Sequence, residues 1–213
     1  MKAILFIALL TTIFVVSTAN KKPACKIPLA QVPTQWITMV DTCTNKIREQ
    51  IQAEISAAMT YMAMGAHFSR DKINRPGFAE TFFKAATEER EHAIKLIEYL
   101  LLRGDLGKGF EPLIRDIPKP QNTSWTNGFE ALTEALRLET KVTRLINGII
   151  KECENAAIND YHVVDYLTED FLGEQYRGQR DLAGKASTLG KMIKKHGALG
   201  EFLFDKKLLY GEL

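Results

Sequence analysis

Four long stretches of the chain repeat apolar residues at intervals of three and four, the period of an amphipathic helix. The first passes through Ile47, Ile51, Ile55, Ala58, Met62 and Gly65, and the second through Phe82, Ala85, Ala86, Ala93, Leu96 and Leu100. The third follows Phe129, Leu132, Leu136, Thr143, Ile146 and Ile150, and the fourth Val164, Thr168, Phe171, Leu182 and Ala186. The first helix is predicted to open at Asp41 or Thr42, either of which can cap its first turn, and to run to about Ser69. Arg75-Pro76-Gly77 breaks the pattern and reads as a short link between antiparallel neighbours. The second helix runs from about Phe78 to Arg103, with Gly104 placed to stop it. A third begins at Trp125 or Thr126, and a break at 157–160 precedes the fourth. After the glycines at 190 and 197 a short apolar helix follows, from Leu199 to about Leu209. No stretch is left for a sheet, so the fold class is all-α: a four-helix bundle with a short fifth helix at its C-terminal end. Residues 104–124, with prolines at 112, 118 and 120, make a connection long enough to cross the length of the bundle. That wiring differs from a simple up-down-up-down bundle.

Each of the four stripes is interrupted near its middle by a polar residue able to bind metal or to hydrogen-bond at a metal. The first carries Glu54 and Tyr61, seven apart and hence on one face; the second carries Glu89 and His92; the third Glu139; the fourth Gln175. Glu89 and His92, three apart, can grip a single ion. A carboxylate oxygen with a neutral imidazole nitrogen suits iron, manganese or zinc better than calcium. Their neighbours along the helix are apolar, so both point inward, where an unpaired charge costs several kcal/mol or more. Taken singly, each of these residues is explained as well by hydrogen bonds inside the core. Taken together, on four separate stripes, they point to a di-metal carboxylate site. One ion would take Glu54, Glu89 and His92; a second would share Glu89 and take Glu139, with Gln175 reaching it through water. The second half has fewer charges and no histidine, an asymmetry that suits a centre passing its metal on after oxidation. His67, His162 and His196 lie toward predicted helix ends or loops and are read as surface residues.

Composition narrows the options. With 213 residues, 46% apolar content and a formal charge of +2, the chain builds one substantial core and carries no basic block, which argues against nucleic acid and anionic membrane as partners. Met1-Lys2, an apolar run over 3–16 and Ser17-Thr18-Ala19 have the layout of a secretory signal cleaved after Ala19, too short to span a membrane. The expected organisation is therefore a signal peptide over 1–19, an irregular arm over 20–40 and a helical domain over 41–213. Three cysteines remain in an oxidising compartment, Cys25, Cys43 and Cys153; an odd count suggests one internal bridge and one thiol that pairs with another chain or stays free. Asn122-Thr123-Ser124 is an N-glycosylation sequon in a turn-like stretch.

Over about 45–209 the sequence resembles a ferritin subunit of the heavy, catalytic type. Glu88-Glu89-Arg90-Glu91-His92-Ala93, Asp116-Ile117-Pro118-Lys119-Pro120, Leu138-Glu139 and Glu201-Phe202-Leu203-Phe204-Asp205-Lys206 match that family in order and spacing. The signal and the cysteine-bearing arm resemble secreted insect ferritins, whose shells combine heavy-type and light-type subunits. The resemblance implies a hollow shell of twenty-four subunits, a homo- or hetero-oligomer, and iron as Fe(II) and Fe(III) at a di-iron centre formed by Glu54, Tyr61, Glu89, His92, Glu139 and Gln175. It implies oxidation of Fe(II) by dioxygen and storage of the ferric mineral inside the shell, with Glu88 and Glu91 assisting from the cavity side. Of the two acids lining the family's three-fold channel, Asp165 matches and Thr168 departs, leaving Glu169 or a partner subunit to complete the funnel. With the crossover wiring, the end of the third helix returns to the level where the first begins, so Cys43 and Cys153 are expected to bridge, leaving Cys25 for a second chain. The alternative is a di-iron oxidase or peroxidase acting on an organic substrate. That class uses two Glu-x-x-His pairs, and Glu174-Gln175-Tyr176-Arg177 on the fourth helix lacks the second histidine. A secreted helical signalling protein would leave the inward acids without a purpose.

Overall fold

The structure, a computed structural model, describes residues 30–104, 118–155 and 157–212. The signal segment, Cys25, Asp116-Ile117 and Pro112 lie outside the described residues. The chain divides into a unit ending at Pro33 and a unit Thr34–Leu213 that carries every described helix. These are α1 Asp41–Ser69, α2 Pro76–Arg103, α3 Gly128–Cys153, α4 Tyr161–Tyr166, α5 Gly173–His196 and α6 Ala198–Leu209, with a π-helical segment, Leu167–Leu172, joining α4 to α5. Among the described residues there is no strand, and no helix is long and apolar enough to cross a membrane.

Local chemistry explains the boundaries. Val40 is the residue that precedes α1, and it has no side chain to cap with, so neither Asp41 nor Thr42 acts as the predicted cap. Asp41 instead sits inside the first turn, where its charge faces the positive end of the helix dipole. Pro76 starts α2 two residues earlier than predicted, because its fixed φ suits a first helical turn and its missing N–H costs nothing there. Asn127 opens α3 with a reciprocal pair: its side chain accepts from Glu130 N at 3.0 Å, and Glu130 Oε2 accepts from Thr126 N at 2.7 Å.

Cys43, near the start of α1, is bonded to Cys153, at the end of α3, with Cα atoms 5.8 Å apart. At the opposite end of the bundle, Trp125 N, just before α3, donates to His67 Nε2 near the end of α1 at 3.4 Å. α1 and α3 are therefore antiparallel. The short link at 70–75 makes α1 and α2 antiparallel as well, so α2 and α3 run the same way. The connection after Gly104 must then join opposite ends of a helix about 39 Å long. The crossover expected from its length and prolines follows from this geometry.

The core has two apolar clusters. One gathers Ile47, Ile51, Leu96, Leu100, Ile146 and Phe171 around the disulfide; the other gathers Phe68, Phe78, Phe82, Leu132, Leu189 and Phe204. Each fully buried aromatic or aliphatic side chain contributes roughly 1.5–3 kcal/mol. Along every long helix the change from one cluster to the other falls at the polar interruption, so Glu54, Glu89, His92, Glu139 and Gln175, all buried, lie between two hydrophobic seals.

Three features depart from the sequence reading. Met62, placed on the inner stripe, is 47% exposed, and the face turns instead through Tyr61, Met64 and Phe68. His67, read as a surface residue, is buried, packed edge-on against Phe68 and Trp125. In the fourth helix the inner residues are Val163, Leu167 and Phe171, whereas Val164 is half-buried and Thr168 exposed. Steps of four residues drift off the face of an α-helix; the wider π turn absorbs that drift and keeps Val163, Leu167, Phe171 and Gln175 in line.

α6 closes the end of the bundle. The Asp205 carboxylate, fully buried, accepts from Phe78 N at 3.1 Å at the start of α2, and Glu201 accepts from Gly128 N at 2.9 Å at the start of α3. A Cβ on Gly77 would come within 2.0 Å of the Asp205 carbonyl oxygen, so the close approach of α6 depends on that glycine. Gly77→Ala is expected to push α6 off the bundle and lower stability by about 1–3 kcal/mol, read as a drop in the midpoint of thermal unfolding. An unchanged midpoint would mean that the backbone yields without cost.

Candidate metal centre

Glu54 of α1 and Glu89 and His92 of α2 each present a ligand atom, all within 4.8 Å of one another. Every one of the three is buried. Gln50, one turn before Glu54, donates from Nε2 to Glu54 Oε1 at 2.7 Å and leaves the other carboxylate oxygen without a hydrogen bond. Glu54 Oε2, Glu89 Oε2 and His92 Nδ1 have no hydrogen-bond partner among the described residues. Buried polar atoms are almost always satisfied. Three unsatisfied ones converging from two helices form a donor set that fits a cation.

The electrostatics agree. Burial pushes the Glu54 carboxyl well above the usual range, and the neighbouring Glu89 carboxyl adds to the shift. Glu89 is pushed up to about 8, first by burial and then by the negative charge of Glu139. Without a cation these acids hold protons because the site carries too much negative charge for its low dielectric.

The other half of the site is already tied down. Tyr61 donates to Glu139 Oε1 at 2.5 Å, and burial followed by the Glu139 charge holds the phenol well above its ordinary pKa, so it stays a donor. Thr143 donates to Gln175 Oε1 at 2.7 Å and accepts from Gln179 Nε2 at 2.5 Å. Gln175 thus reaches the centre with its amide fixed by a neighbouring helix. A cavity of 410 Å³ is lined by Tyr61, Glu89, His92, Glu139 and Gln175, with the exposed Glu88 and Glu174 also on its wall. Glu174 Oε2 lies 3.4 Å from His92 Nε2. The volume would accept a small organic molecule, but an array of carboxylates is a wall for cations.

Five of the six residues singled out in the sequence therefore line one cavity, and the sixth, Glu54, presents a ligand atom within 4.8 Å of those of Glu89 and His92. Glu88 lines the cavity and pairs with Lys84 at 3.7 Å, whereas Glu91 is exposed and elsewhere. Asp165, Thr168 and Glu169 are exposed on the fourth helix. Asn122 is exposed, its Nδ2 donating to Glu134 Oε2 at 2.9 Å. Sequence reasoning missed Gln50, Thr143 and Gln179 as parts of the site. Gln50 stands four residues before Glu54, a spacing that would have identified it; the Thr143 to Gln175 bond crosses between α3 and α5 and has no linear signature.

A family model described as ferritin-like domain matches residues 44–192. A ferritin heavy chain from Trichoplusia ni is 59% identical over 186 residues, covering 87% of this chain and 88% of the relative. One from Papilio xuthus is 55% identical over 98% of both chains. The crystal structure of Trichoplusia ni secreted ferritin superposes with a TM-score of 0.84 at 58% identity, covering 87% of this chain and 97% of that one.

Proposed function

Because the chain belongs to the ferritin family, we propose that it is an iron-storage subunit that oxidises Fe(II) with dioxygen between its two apolar clusters and delivers the ferric product to a mineral inside a multisubunit shell. The observation that carries this reading is the unsatisfied donor set of Glu54, Glu89 and His92. Iron is the substrate here. Two Fe(II) ions give two electrons and reduce dioxygen to hydrogen peroxide, and hydrolysis of Fe(III) then releases protons as oxyhydroxide forms. Glu54, Glu89 and His92 would hold the first ion, and Glu89, Glu139 and Gln175 the second. Hard carboxylate oxygen favours the higher charge of Fe(III), which drives the oxidation. Tyr61 would hold Glu139 in place beside the reacting iron through its hydrogen bond.

Secretion through residues 1–19, assembly into a twenty-four-subunit shell with a light-type partner, a Cys25 link between chains and a glycan on Asn122 complete the reading. Exposed apolar side chains such as Phe83, Ile94 and Leu102 support assembly, since a lone subunit would leave them in water. Stopped-flow oxidation of Fe(II) together with the native particle mass tests it: rapid oxygen consumption by a large hollow particle is the expected result, and background oxidation by a monomer would overturn it.

A pH dependence follows. The folded protein holds protons on Glu54 and Glu89 that an unfolded chain would release near pH 4.5, so the metal-free fold loses stability as pH rises from there toward 8. A cation displaces those protons. Titration with redox-inert Zn(II) at pH 7 is expected to release between about one and two protons per subunit, with affinity weakening as pH falls. Binding without proton release would show that the carboxyls are already ionised.

A further inference from the structure

A polar cluster around the buried Tyr99, toward the C-terminal end of α2, plays no part in holding iron. Tyr99 is 3% exposed and lies seven residues, about 10 Å along the helix, beyond His92. Its phenol oxygen accepts from Arg103 Nη1 at 2.8 Å and stands 2.9 Å from His162 Nδ1. Arg103 has no acceptor capacity and is itself gripped by Asp160 through two bonds of 3.0 Å. Arg103 already donates to that oxygen, so the phenolic hydrogen is free to point at His162 Nδ1 when the ring carries its own hydrogen on Nε2.

The Tyr99 ring also lies on a path to the iron site. It stacks on Tyr166 with centroids 4.2 Å apart and planes within 10°. Tyr166 meets Phe171 edge-on at 5.6 Å, and Phe171 leans on His92 at 5.6 Å. The π-helical segment is what puts Phe171 between them. A continuous series of rings joins a metal-ligating histidine to a tyrosine that has its own base.

We infer that Tyr99 and His162 form a proton-coupled electron donor that serves the iron site through Tyr166 and Phe171, an inference that rests on the ferroxidase reading above. Such a donor serves when peroxide meets a single Fe(II). A pair of Fe(II) ions takes dioxygen only to hydrogen peroxide, and a single Fe(II) reacting with that peroxide releases a hydroxyl radical. With Tyr99 in circuit, Fe(II) gives one electron and Tyr99 the other; hydrogen peroxide takes both with two protons from solvent and becomes two waters. Fe(II) is oxidised to Fe(III), Tyr99 becomes a neutral phenoxyl radical, and its phenolic proton ends on His162 Nδ1. Further Fe(II) then gives an electron to the phenoxyl and the proton returns from His162, which restores the phenol.

The test is rapid-freeze electron paramagnetic resonance of the whole shell loaded with Fe(II) and mixed with hydrogen peroxide, alongside spin trapping of hydroxyl radical. The wild type is expected to show a tyrosyl signal and little trapped radical. Tyr99→Phe keeps the ring and its stacking and is expected to lose the signal and raise the trapped radical. His162→Gln, at an exposed position that tolerates substitution, is expected to do the same by removing the base. Initial dioxygen-dependent oxidation of Fe(II) should stay unchanged in both. Rapid oxidation with no tyrosyl signal, or a signal that survives Tyr99→Phe, overturns the relay and leaves the ferroxidase reading standing; absence of rapid oxidation in the wild type overturns both.

Discussion

Replacing Glu89 with Ala together with His92 with Gly is expected to cut the initial rate of dioxygen-dependent Fe(II) oxidation by about 10²-fold or more, to the solution background, while the particle mass stays unchanged. The magnitude follows from what the two residues do. Losing an outer-shell partner of a metal ligand already costs about 10–100-fold in affinity or activity. This double change removes two of the three donors of the converging set, and the Glu89 carboxyl interacts with both Glu54 and Glu139. Assembly should survive because the variant loses a carboxyl and an imidazole that stand with unsatisfied atoms between two complete apolar clusters. Removing such groups relieves a desolvation cost and opens a modest void. Stopped-flow absorbance read beside native mass separates the two effects. A double variant that oxidises iron at the wild-type rate would remove this centre from the reaction.

The second large effect concerns stability. Cys153→Ser opens a bridge that spans 110 residues of sequence. Closing a loop of that length removes chain entropy from the unfolded state worth about 4.7 kcal/mol, and losses of native disulfides usually fall between about 2 and 5 kcal/mol. That exceeds any single cap or surface ion pair in the fold, for instance Lys46 with Glu49, whose exposed geometry is worth less than about 1 kcal/mol. The bridge also fastens the start of α1 to the end of α3 beside Ile47, Ile146 and Ile149, all fully or almost fully buried, so its loss loosens the cluster that seals one side of the candidate metal centre. Chemical denaturation of Cys153→Ser against the wild type, both without reductant, should show the loss, and adding reductant should bring the wild type to the variant's curve. Equal midpoints without reductant would mean that packing alone holds that end.

Much of this was legible in the chain because helix-forming sequence is local. The 3.6-residue period placed four long helices and a short fifth, and an inward Glu or His on an apolar stripe marks itself against its neighbours within one turn. The residues around the cavity could be named for that reason. His67 illustrates the limit: it stands near a helix end, where solvent is the better guess, yet Trp125 arrives from 58 residues away to cover it and donate to its ring. The fourth stripe was misread by one residue because a π turn is invisible to a fixed α period, and Thr168 and Leu167 exchanged places accordingly.

The sequence by itself determined the elements, their inward polar residues, the cysteines available for bridging and, through its motifs, the family. Each of these depends on spacing within a helix or on residue type, which are properties of the chain read along its length. Only the tertiary structure decided that Gln50 orients Glu54, that Gln175 is held by Thr143 from α3, that Asp205 caps a helix 127 residues away, and that Tyr99 faces His162 at the end of an aromatic path from His92. Except for Gln50, whose partner is one turn away, these are contacts between helices. Crossing direction, the π turn and the closing α6 set them, and no linear period encodes where one helix surface meets another.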